Sequence, residues 1–214
     1  MKPKRVQWVL LFMLVNAVLR LTAQQGATDS KWVSAIRAKA EKGDAPSQFE
    51  LAGAFFRGDH GLEKDAAKGL NWLRKSADQN HAVAQNDLGW CYANGLGVDT
   101  NQVEAVKWYR RAAEQNLPNG LNGLAWILAT SASPAIRDGS NAVVYAEKSV
   151  AATNRKIPWN LGTLAAAYAE TGQFEKAVRA QQEAIALLET EADKNDFRSR
   201  LKLYEAQSPY RTKD

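Results

Sequence analysis

Residues 85 to 116 read QNDLGWCYANGLGVDTNQVEAVKWYRRAAEQN. The stretch holds two tryptophans, two tyrosines and a Gly-x-Gly, but almost no side chain suited to chemistry. Repetition explains the composition. Laid over QFELAGAFFRGDHGL, residues 48 to 62, Gln85 falls on Gln48, Leu88 on Leu51, Gly89 on Ala52, Tyr92 on Phe55 and Gly95 on Gly58, all 37 residues apart. One extra loop residue changes the offset to 36, which aligns Gly97 with Gly61, Trp108 with Trp72, Ala112 with Ser76 and Ala113 with Ala77. A further step of 36 places LNGLAWIL (121 to 128) on QNDLGWCY, and LGTLAAAYAETGQFEKAVRAQQEAI keeps the Leu164, Ala165, Tyr168 register. Self-similarity at this period marks a stacked array.

Each unit reads as two helices, because apolar residues recur three and four apart between glycine-containing turns. The predicted helices cover about 30–43, 46–57, 65–79, 82–94, 101–115, 118–131, 140–153, 158–170, 173–188 and 192–206. Asp138 or Ser140 is suited to cap the seventh, and Gly95 and Gly172 to end the helices before them with positive φ. Small residues mark close helix crossings at Ala52, Gly89, Ala125 and Ala165, and Trp72, Trp108, Tyr92 and Tyr168 fill the space between pairs. One such pair cannot cover its own apolar face. The expected fold is therefore all-α, a right-handed α-solenoid of stacked antiparallel helix pairs.

The stretch NDLGWCYANGLGV…NQVEAVKWYRRAAEQN resembles a Sel-one-like repeat, with its Leu-Gly, its G-x-G-V turn and its K-W-Y-x-x-A-A second helix. The segment from Leu161 resembles a tetratricopeptide repeat that lacks the closing proline, and RDGSNAVVYAEKS, LAAAYAE and RLKLYEAQSPYR are similar to the C-terminal arrays of exported bacterial tetratricopeptide proteins. The first unit departs most, with the loop GDHGL and a second helix GLNWLRKSA. The implied division is a signal peptide at 1–23, an N-terminal helix at 24–44, two Sel-one-like repeats at 45–116, two tetratricopeptide-like repeats at 117–190, and a capping helix with tail at 191–214. The resemblance implies a protein-binding scaffold without catalytic residues or cofactor.

Charge narrows the partners. The chain of 214 residues carries a formal +5, but Lys2, Lys4, Arg5 and Arg20 lie in an acid-free leader. Without residues 1–23 there remain 24 basic and 23 acidic residues, a net +1. No cluster of Lys and Arg is left to form a phosphate-binding face, so nucleic acid is not an expected partner. The leader has a cationic MKPKR, an apolar run VQWVLLFMLVNAVL and a small residue, Ala23, at the expected cleavage point. Its 14 apolar residues reach about 21 Å as a helix, short of a ~30 Å hydrocarbon core. Export to the periplasm or medium is the expected outcome, with membrane contact only in transit. The alternative is a retained N-terminal anchor, towards which Arg20 and Leu21 point as poor cleavage-region residues. No cysteine follows the apolar run to take a lipid.

Little in the chain contradicts a scaffold. His60 and His81 fall in or beside turns, without metal-ligand spacing to any His or Cys, so no metal is expected. Gly95-Leu96-Gly97 has neither the preceding strand nor the third glycine of a phosphate loop. The single cysteine, Cys91, excludes an internal disulfide. At ~100° per residue it points towards the apolar face, in register with Ala54, Ile127 and Ala167, as a buried structural thiol. β-Lactam binding or hydrolysis, credited to cysteine-rich relatives, is not expected without their paired cysteines.

One constellation has no packing role on this register. Asn86 and Trp90 lie about 160° either side of Leu88, and Asn122 and Trp126 repeat them around Leu124. First helices of stacked pairs line the concave face, so the two Asn-Trp pairs form a short ladder there. Asn hydrogen-bonds an extended backbone both ways and Trp offers a rigid apolar surface. The expected function is binding of a protein or peptide in this groove. Two alternatives stay open: the tryptophans pack against neighbouring helices or the N-terminal segment, or they stack sugar rings in an envelope glycan-binding module or enzyme. A pair of carboxylates beside the tryptophans would favour a glycosidase. The sequence register shows no obvious one.

Overall fold

The computed structural model describes residues 30–212. The leader, with its expected cleavage point at Ala23, lies outside the described residues. Ten helices follow one another: α1 (Lys31–Glu41), α2 (Ala45–Arg57), α3 (Ala66–Asp78), α4 (Ala82–Asn94), α5 (Gln102–Glu114), α6 (Pro118–Thr130), α7 (Gly139–Ala152), α8 (Pro158–Glu170), α9 (Phe174–Leu187) and α10 (Glu191–Glu205). No strand occurs among the described residues. Each helix packs on the next, giving the antiparallel pairs α2–α3, α4–α5, α6–α7 and α8–α9. α4 also meets α6, and α6 meets α8. The chain is a right-handed α-solenoid with the first helices of its pairs along the inner face.

Local chemistry sets the helix ends. The Asp44, Asp65, Asn101 and Asp138 side chains accept the backbone N–H three residues on, which satisfies an otherwise orphaned donor. Pro118 and Pro158 open α6 and α8, where a missing N–H costs no bond. α2 and α4 end on Gly58 and Gly95 in the left-handed region. The second helices stop differently. Asn80 and Asn116, 36 residues apart, take φ of 66° and 57°, a conformation asparagine tolerates. His81, placed beside a turn by the sequence, caps α4: its Nδ1 accepts from the Ala84 N–H.

The register leucines Leu51, Leu88, Leu124 and Leu164 are all buried. Trp108 and Tyr92 fill the core as expected, whereas Trp72 and Tyr168 are only half-buried. Lys75 lies over the Trp72 ring at 4.1 Å and Arg111 over that of Trp108 at 4.8 Å, so both outer-helix tryptophans carry a cationic lid. Gly89 does more than allow close helix crossing. A Cβ there would stand 2.9 Å from the Tyr109 ring, and one on Gly123 would stand 2.5 Å from it. The two glycines form a slot for that ring between α4 and α6.

Buried amides key the units together. Gln48 donates to the Ala40 carbonyl and accepts from Gln79 at 2.7 Å; Gln85 donates to the Ala77 carbonyl and accepts from Gln115 at 2.7 Å. Gln48 and Gln85 are both buried, so a one-turn slip would strand their polar groups.

Candidate interaction groove

The side chains of Asn86, Trp90, Asn122 and Trp126 reach the inner face because Leu88 with Tyr92, and Leu124 with Leu128, turn inward on the same helices. Three adjoining hollows run along that face. The first, about 560 Å³, lies between α2 and α4 and is lined by Phe49, Asn86 and Trp90 among others. The second, about 440 Å³, has Trp90, Asn122 and Trp126 in its walls. The third, about 310 Å³, reaches from Asn122 and Trp126 to Trp159 and Thr163 on α8. Trp90 thus divides the first from the second, and Asn122 and Trp126 divide the second from the third.

The two rungs differ. Trp90 is 49% exposed. Trp126 is half-buried, because the chain beyond α10 doubles back over it. Gln207, at φ 54°, turns the backbone, and residues 208–212 then run without regular structure along the groove. The Tyr210 ring meets Trp126 at 5.7 Å between centroids. The Thr212 N–H and hydroxyl both donate to the Thr130 carbonyl, at 2.9 and 3.1 Å. Arg211 pairs with Glu170, which also holds Arg137 at 3.2 Å. Arg200 of α10 lies 4.2, 5.5 and 5.8 Å from the ring centres of Phe197, Trp126 and Tyr210, and pairs with Asp196 at 2.6 Å. Among the described residues, Trp126 packs on the repeat core and is covered from the C-terminal side by Tyr210 and Arg200.

Sequence reasoning missed an acid pair. Glu50 and Asp87 line the first hollow together with Trp32 and Trp90. They stand 37 residues apart, each just before a register leucine, so the repeat alignment already carried the signal. Asp87 accepts from Asn86 Nδ2 at 2.9 Å, and burial pushes its pKa upward against that hydrogen bond and the nearby His81. Cys91, at the back of the same hollow, is 2% exposed. Burial first, and the Asp87 charge second, push its thiol pKa up to about 12. An inert neutral thiol follows. Among the described residues no three His, Cys, Asp or Glu side chains gather in a metal-binding group. No described helix is long and apolar enough to cross a membrane.

Residues 45–81 and 82–117 each match the Sel1 repeat family model. A solved Sel1 repeat protein from Oxalobacter formigenes is 31% identical over 58% of this chain and 92% of its own, with a TM-score of 0.51. A protective antigen of uropathogenic Escherichia coli strains, displaying an SLR fold, matches 86% of this chain and 39% of its own at 23% identity, with a TM-score of 0.64. That second likeness is one of fold. No curated protein matches the chain.

Proposed function

The chain belongs to the Sel1 repeat family, and from that premise we propose that it is a non-catalytic scaffold whose inner groove binds an extended segment of a partner protein. Sel1 repeats generally mediate protein–protein interaction. The observation that carries the narrower reading is the occupant of the Trp126 rung. An irregular peptide segment, the chain's own residues 208–212, lies there with an aromatic ring on the tryptophan and a main-chain hydrogen bond to the helix end. A groove that accepts one such segment has the chemistry to accept another. Asn86, Trp90, Asn122 and Trp126 are the residues assigned to contact it.

The full chain carrying Tyr210→Ala and Arg211→Ala tests this, with the synthetic peptide Ser-Pro-Tyr-Arg-Thr-Lys-Asp added in trans. Binding that shifts the Trp126 indole signal is expected, stronger than to the unaltered chain. Absence of binding to both proteins would remove the reading.

Export belongs to the same proposal and rests on residues 1–23. N-terminal sequencing of periplasmic or secreted material is expected to begin near Gln24. Recovery of intact Met1 in a membrane pellet would replace export with anchoring.

A second reading, an envelope glycan-binding module or glycosidase, draws on one observation: Glu50 and Asp87 share a hollow with Trp32 and Trp90. Sugar rings stack on such indoles, and glycosidases pair two carboxylates. Titration with an N-acetylglucosamine tetramer separates the readings, because peptide binding predicts no response of Trp90 to it.

A further inference from the structure

The first hollow contains carboxylates, one of which, Asp87, no described lysine or arginine balances with a direct ion pair. Asp87 has Asn86 as its hydrogen-bond partner, and no lysine or arginine of the described residues pairs with it. Glu50 adds a second carboxylate at a more exposed position. The cation on the lining, Arg57, is already paired with Asp59 at 2.5 Å and lies against Gly53, where a Cβ would meet its Nη1 at 2.9 Å. Around the carboxylates stand Trp32, Phe49, Phe56 and Trp90. A carboxylate lodged among aromatic rings loses hydration, and a cation in the same place recovers that loss through both the charge and the ring faces.

The chain shows the completed arrangement at the other rung. There a guanidinium, Arg200, lies beside Trp126 and Phe197 with the carboxylate of Asp196 on it at 2.6 Å. Arg200 is 6% exposed, so the site holds a buried cation by rings and one acid. Trp90 is the repeat equivalent of Trp126, and Asp87 and Glu50 stand where α4 and α2 face each other beside it.

We propose that the hollow between α2 and α4 receives a lysine or arginine side chain of the bound segment, with Asp87 as its counter-charge and Trp90 as the ring beside it. This rests on the groove reading above and gives the partner a chemistry, an extended segment with a basic residue. The volume of about 560 Å³ holds a whole side chain with part of its backbone.

Two peptides test it on the full chain: acetyl-Ala-Tyr-Arg-Ala-amide and its citrulline counterpart, equal in shape but neutral. The arginine peptide is expected to shift the Trp90 indole signal and to bind about tenfold tighter, a factor worth roughly 1.4 kcal/mol. Asp87→Asn is expected to abolish that preference, bringing the arginine peptide down to the affinity of its citrulline counterpart. The Asn86 amide still has an oxygen to donate to in this variant, and a melting curve verifies its folding. Equal binding of the two peptides, a preference that survives Asp87→Asn, or shifts confined to Trp126 would overturn the proposal and leave the groove reading standing. A response of Trp90 to the N-acetylglucosamine tetramer but to neither peptide overturns both in favour of the sugar reading. Silence of both tryptophans towards every ligand, including the tail peptide, overturns both outright.

Discussion

The backbone N–H of Thr212 donates to the carbonyl oxygen of Thr130 at 2.9 Å, and the two residues are 82 positions apart in sequence. Thr130 is the last residue of α6, where carbonyls have no intrahelical partner. The C-terminal segment therefore caps the helix whose tryptophan it covers. The two tryptophans of the ladder consequently have different dependence on the rest of the fold.

Trp90→Ala is expected to change stability by no more than about 0.5 kcal/mol, as for other exposed positions. Trp126→Ala is expected to lose about 1–2 kcal/mol, because it removes ring contacts with Tyr210 and Arg200. Chemical denaturation checks both, and faster amide exchange at Thr212 is expected in the second variant alone. Equal losses would mean the tail is not held by the indole.

Trp108→Ala tests the core of the second helices. The side chain is 5% exposed between helix pairs, its Nε1 has no hydrogen-bond partner among the described residues, and Arg111 lies over its ring, so its contribution is packing and that cation contact. A loss of about 3–5 kcal/mol is expected in a urea titration. Trp72→Ala, at the half-buried equivalent position, is expected to lose less.

Asp87 sets a pH dependence. Burial raises its pKa in the folded chain, so the folded state holds the proton more tightly than the unfolded state does. The stability gained is fully present below the ordinary carboxylate pKa and is lost as pH rises through the folded value. Asp87→Asn should therefore raise Tm at about pH 7 and have little effect near pH 3. A lowered Tm at neutral pH would reveal a stabilising interaction of the anion.

Cys91 should resist alkylation. With its thiol pKa pushed up to about 12 and 2% exposure, iodoacetamide at about pH 8 is expected to label it only in denaturant. Rapid labelling of native protein would show that the back of the first hollow opens.

The fold was legible because the 36–37-residue period fixes each helix twice, by its own apolar spacing and by its register mates. Leu88 implied Leu51, Leu124 and Leu164, and all four are buried. Angular reasoning likewise placed Trp90 towards solvent. It failed to show what covers Trp126, because Arg200, Tyr210 and Thr212 follow no repeat and lie far from α6 in sequence. Asn80 and Asn116 were overlooked as helix stops because glycine was the residue sought. The Glu50–Asp87 pair was missed for a different reason: the hollow that holds both acids arises only where two helices face each other.

The short connection from α10 to Tyr210 has a quantitative consequence. A segment joined by a few residues to its own binding place is present there at an effective concentration on the order of millimolar or more. A free peptide with no better contacts, supplied at micromolar concentration, would then hold the Trp126 rung in roughly one molecule per thousand. The tail thus imposes an affinity threshold. Ligands that copy its contacts are rejected, and those that extend past it towards Trp90 and gain further contacts there can displace it.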